Sequence, residues 1–97
     1  MTPMAREPRR FVLAPDVMLQ DGSGEAILVK LDHESLFALN ETGALVARRL
    51  IEGDDVDTII ADLARRYDAA AEAVAHDVRA LVDALTARAL IVPVESD

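Results

Sequence analysis

Residues 37–45 read FALNETGAL. The short apolar run Leu36–Leu39 stops at Asn40, and a pattern of helical period begins on the next residue, with no loop between them. Asn is a favoured helix N-cap, because its side-chain oxygen accepts from an otherwise unpaired N–H of the first turn. Glu41 suits the positive end of the helix dipole. The letters NET also form an N-x-T glycosylation sequon, which matters only in an exported chain. Asn40 is therefore read as the switch point: extended segments precede it and helices follow it.

Working back from Asn40, SLFALN and AILVKL are extended runs, with the polar connection Asp32, His33, Glu34 between them at hairpin length. DGSGE at 21–25 reads as a turn, and FVLAPDVMLQ as an edge segment containing Pro15, which cannot donate a ladder hydrogen bond. These signals predict three antiparallel strands over about 12–19, 26–32 and 35–39. His33 reads as an exposed turn residue.

Working forward, Leu45, Val46 and Leu50 share one face of a first helix that stops at Gly53. Gly43, costly inside a helix, predicts a close approach to another backbone, together with Ala44 and Ala47. Asp54 or Asp55 caps a second helix, whose stripe is Val56, Ile59, Ile60, Leu63 and Tyr67. The cluster of Asp54, Asp55 and Asp57 is explained by capping and the helix dipole, and lacks the full ligand pattern of a calcium loop. Asp68 is expected to cap a third helix carrying Val74, Val78, Leu81, Val82 and Leu85 inward. At about 100° per residue, Asp77, Ala84 and Arg88 fall on one border of that stripe. A charged border is routine on an amphipathic helix, so the wheel alone leaves Asp77 as a solvated edge residue. The order βββααα predicts an α+β fold with helices on one face of the sheet.

Composition narrows the function classes. At 97 residues, 52% of them hydrophobic, the chain supports one domain with one core. With only 3% aromatic residues, that core is expected to be Leu, Val and Ile. Absence of cysteine removes disulfides, thiolate catalysis and Cys-based zinc sites. The two histidines, His33 and His76, form no pair at helical spacing, so no metal site is expected. No nucleophile–base pair, carboxylate dyad or cofactor fingerprint is legible, which argues against an enzyme and against a cofactor. The net charge of −8 opposes phosphate backbones. No apolar run has the length of a membrane span. The N-terminal stretch has arginines but no apolar signal-peptide core, so cytoplasmic residence is the expectation. Residues 1–10 and 93–97 read as tails flanking a domain over 11–92.

The order of these landmarks resembles the PqqD family. ILVKLDHESLFALNETGALVARRLIEG is followed by LARRY, then DAAAEAVA, then DVRALVDALTARALI. The resemblance spans about residues 11–92. It rests on the Leu39–Ala44 stretch, Gly53, Tyr67 and the Asp77–Val78 pair. The family's usual PE between the second and third strands is replaced by LDHES, which is more similar to the free-standing lasso-peptide type. The family comprises small proteins of pyrroloquinoline quinone biosynthesis and related recognition elements of ribosomally made, post-translationally modified peptides.

The resemblance implies a winged-helix-like arrangement of three strands and three helices. It also implies a domain that binds the leader of a precursor peptide. The leader adds as a strand to the edge of strand three, lies against helix three, and is presented to a radical SAM protein or a leader peptidase. The domain itself does no chemistry. On this sequence the implied peptide-binding residues are Ser35, Leu36, Phe37, Ala38 and Leu39 on the strand. On the helix they are Asp77 and Arg88 as border charges, Leu81 as floor, and Ala84 as room for a bulky side chain. The run 35–39 contains no proline and no lysine to blunt an edge. By pattern alone it also reads as an ordinary internal strand. If Phe37 and Leu39 face the helices, Leu36 and Ala38 face away. Two other readings stand beside this one: a winged-helix nucleic-acid binder, which the acidic body disfavours, and a homodimer through edge-to-edge pairing.

Overall fold

The computed structural model describes residues 9–31 and 35–94. The expected tail over residues 1–8, the Asp32–Glu34 connection with His33, and residues 95–97 lie outside the described residues.

The strands are β1 (Phe11–Leu13), β2 (Val17–Asp21), β3 (Ala26–Lys30), β4 (Ser35–Leu39) and β5 (Ile91–Pro93). The helices are α1 (Glu41–Ile51), α2 (Val56–Arg66) and α3 (Ala71–Ala87). The fold is α+β, with an antiparallel sheet in the order β2-β3-β4 and three helices. Its register pairs Met18 with Val29 and Val29 with Leu36, and likewise Gln20 with Ile27 and Ile27 with Ala38.

The expected first strand is two strands. Val17 donates to the Ala14 carbonyl at 3.0 Å, closing a turn with Pro15 in its second position, where the proline ring pre-sets the required φ. β1 thus leaves the main sheet and pairs with β5, Phe11 opposite Pro93. Arg9 and Arg10, expected in the tail, are also held. The Arg9 carbonyl accepts from Val56, and the Arg10 carbonyl accepts from Val94.

All three helices end in one motif. Asp54 donates to Arg49 and Gly53 to Leu50; Ala69 to Ala64 and Asp68 to Arg65; Leu90 to Leu85 and Ala89 to Thr86. Each is the paired closure of a Schellman ending, which puts one residue in the left-handed region. Gly53 has φ +102°, Asp68 +52° and Ala89 +61°. Asp68 therefore terminates α2 instead of capping α3. The α3 N-cap is Ala70, which makes no side-chain cap bond. The stop at Ala87 frees residues 91–93 for β5. Tyr67, expected in the α2 stripe, lies at the helix end and is 51% exposed.

The other caps match the sequence reading. Asn40 accepts from Gly43 N–H at 2.8 Å, and Asp55 accepts from Thr58 N–H at 3.1 Å. Gly43 is tight for a more local reason than expected. A Cβ there would meet Asn40 Oδ1 at 3.3 Å and the Leu39 side chain at 3.4 Å, so its neighbours are its own cap and the preceding strand.

The core is aliphatic. Leu28, Leu50, Ile59, Leu63, Leu85, Val46, Val56 and Val82 are fully buried, and no polar side chain is buried among the described residues. Arg49 of α1 is clamped between Asp54 and Asp62, tying α1 to α2, and Arg48 pairs with Asp21 of β2.

Candidate functional site

Among the described residues β4 is an edge of the main sheet, paired with β3 alone. It is as long as its partner, flat in pattern and unblunted, and so leaves one row of backbone donors and acceptors without a strand. Its side chains alternate as period two requires. Leu39 is buried and Phe37 half-buried toward the helices, whereas Leu36 is 65% exposed and Ala38 is exposed on the far face.

Across from this edge runs α3. The helix packs on α2, α1 and β5, while β4 packs on β3 and α1. α1 thus holds α3 and β4 in place while a gap opens between them. At one end, just past β4, is a cleft of about 320 Å3 between the start of α1 and the middle of α3, lined by Asn40, Thr42, Gly43, Val46, Asp77, Val78 and Leu81. At the other is a cleft of about 210 Å3 lined by Ser35, Leu36, Phe37, Arg88 and Leu90. Leu81 in the first cleft and Ala84, one turn further along α3, are both half-buried. Asp77, Leu81, Ala84 and Arg88 fall at i, i+4, i+7 and i+11, one face of the helix.

The two elements run in opposite senses. Ser35 of β4 lies by Arg88, at the end of α3, and Asn40, the residue that follows β4, lines a cleft with Asp77. From Asp77 to Arg88 is about 16 Å at 1.5 Å per residue, and five strand residues cover about 17 Å. Arg88 closes one end by stacking its guanidinium over Phe37, 5.0 Å from the ring centre.

Of the nine residues singled out from the sequence, Ser35, Leu36, Phe37 and Arg88 line one of these clefts and Asp77 and Leu81 the other. Ala38 and Leu39 line a separate cleft with Gln20 and Ile27, and Ala84 lines neither of the two. Asn40, Thr42, Gly43, Val46, Val78 and Leu90 join the lining without having been singled out for it. Asn40 carried a signal as the cap, and Val78 as half of the Asp77–Val78 pair. Leu90 carried none, because the sequence shows neither the end of α3 at Ala87 nor the β5 that follows it.

The carboxylates whose acidity the fold alters lie elsewhere. Asp55 is lowered by its hydrogen bond from Thr58, and Asp62 by its bond from Arg49. Both serve the α1–α2 junction. Among the described residues no group of His, Asp or Glu could hold a metal, and no helix is long and apolar enough to cross a membrane.

An open-edged three-stranded sheet beside three helices, with a gap between the edge strand and the last helix, defines the class of domain. Residues 25–91 match the family model for coenzyme PQQ synthesis protein D, PqqD. The chain belongs to the PqqD family. Two solved structures share its fold. A chain described as lasso peptide synthetase B1 complexed with the leader peptide superposes with a TM-score of 0.80 at 24% identity, over 87% of this chain and 99% of that one. A chain described as TbiB1 in complex with the TbiA(beta) leader peptide gives 0.79 at 22% identity, over 89% and 99%. No curated protein matches the sequence.

Proposed function

We propose that this protein binds the leader segment of a ribosomally synthesised precursor peptide as an added strand along β4 and presents it to a modifying enzyme. The observation that carries the reading is an unblunted edge at Ser35–Leu39 beside clefts lined by Asp77 and Leu81 and by Arg88. Strand addition draws affinity from backbone hydrogen bonds and specificity from pockets for alternate side chains, and the edge and its clefts supply both. Family membership and the likeness to two proteins solved with leader peptides support it. In this reading residues 11–92 form the recognition unit in a winged-helix-like arrangement. The protein acts in the cytoplasm as a binding partner without catalysis of its own, and a radical SAM protein or a leader peptidase acts on the bound peptide.

The test uses a synthetic peptide with the leader sequence of the cognate precursor. An added strand aims alternate N–H groups at β4. N-methylation at one parity of the bound segment should therefore abolish binding, while the other parity is tolerated. Equal effects at both parities would refute strand addition.

The cations of the body do not favour a nucleic-acid role. Arg48, Arg49, Arg65, Arg79 and Lys30 each face an aspartate within 4 Å, so they are engaged before any phosphate arrives. The same open edge could pair with a second copy. In that case sedimentation would show a dimer that leader peptide dissociates.

A further inference from the structure

The two clefts carry opposite charges that no ion pair among the described residues neutralises. Among the described residues, Asp77 has neither an ion pair nor a side-chain hydrogen bond. Arg88 has no carboxylate partner, only the Phe37 ring. Arg48, Arg49, Arg65 and Arg79 are, by contrast, all paired with aspartates. An aromatic ring takes up no carboxylate-type hydrogen bond, so the Arg88 guanidinium keeps the N–H donors that grip a carboxylate in bidentate fashion. Asp77 stands at the mouth of the other cleft, exposed beside the half-buried Leu81.

Resting on the strand-addition reading, we propose that the groove selects its peptide by charge order. A basic side chain meets Asp77, an acidic one meets Arg88, and an apolar one sits between them over Leu81 and Ala84. Side chains facing the groove recur every second residue, so the charges must be an even number of positions apart. Two positions span about 7 Å, four about 13 Å and six about 20 Å at 3.3 Å each. Against the roughly 16 Å between Asp77 and Arg88, four positions fit, the reach of a long basic side chain closing the remainder. Every pairing in the main sheet is antiparallel. A fourth strand continuing that sense starts at the Leu39–Asp77 end, which gives the order basic-x-apolar-x-acidic from the peptide's N-terminus.

The experiment uses two labelled nine-residue peptides of identical composition, threonine-rich at the outward positions. One carries lysine, leucine and glutamate at successive groove-facing positions. The other carries glutamate, leucine and lysine. Fluorescence anisotropy at low salt should favour the lysine-first peptide by roughly tenfold, because two exposed ion pairs are exchanged for two like-charge contacts. The doubly reversed variant Asp77→Lys, Arg88→Glu should invert the preference. Both sites are exposed, and amide spectra of the variant report its fold. If both peptides bind equally and both shift the amides of residues 35–39, charge order is refuted while strand addition stands. If neither shifts those amides, both proposals are overturned.

Discussion

The guanidinium of Arg88 lies 5.0 Å from the centre of the Phe37 ring, a contact that reaches from the end of α3 to β4. Phe37 is half-buried and Arg88 sits just past the helix, so the stack holds the edge strand to the helix terminus without filling the space between them. Arg88→Ala should cost little in folding, about 0.5–1 kcal/mol for a solvent-accessible cation–π pair. It should weaken leader binding more than it weakens the fold. Urea titration and peptide anisotropy on the same variant separate the two.

Asn40 is where strand becomes helix, and its side chain accepts from Gly43 at 2.8 Å. Asn40→Ala should lower stability by about 1 kcal/mol, and Asn40→Asp should restore it, since both residues cap well. Denaturant midpoints measure both.

Ala89 closes α3 at φ +61°. Ala89→Gly should therefore stabilise the protein by about 0.5–1 kcal/mol, because glycine enters the left-handed region without the Cβ penalty. The bond from Lys30 Nζ to the Ala89 carbonyl, 3.2 Å, uses backbone and survives the change. Gly53→Ala, at φ +102°, should act in the opposite direction.

Acid should loosen the α1–α2 junction first. Asp55 and Asp62 have folded-state pKa values below the ordinary 3.8, so the unfolded chain takes up protons before the folded one does. Their contribution is whole above about pH 4 and is lost as pH falls from there through the lowered folded values. Asp62→Asn removes one of these carboxylates and should flatten the stability–pH curve in that window. Thermal melts from pH 6 to pH 2 check it.

Much of this was readable from the chain because the signals were local. The Asn40 and Asp55 caps, the Gly53 stop and the alternation in Ser35–Leu39 each depend on residues within a turn or two. The misread parts depend on distant partners or on residues used against type. β1 leaves the main sheet because its partner, β5, is at the other end of the chain, and Phe11 meets Pro93. Asp68 looked like a cap and is a left-handed helix terminus, a position that glycine more often fills and so announces. Tyr67 continued the period of α2 one residue past the helix. In the site, the wheel put Asp77, Ala84 and Arg88 on one border, but only the folded chain brings Phe37 to Arg88 and Asn40 to Asp77.

The most direct test of strand addition at β4 is a backbone amide spectrum of the labelled protein during titration with leader peptide. The account predicts large shifts and slowed hydrogen exchange along Ser35–Leu39, with smaller shifts on α3 from Asp77 to Arg88. Saturable binding that leaves the amides of residues 35–39 unmoved would contradict it.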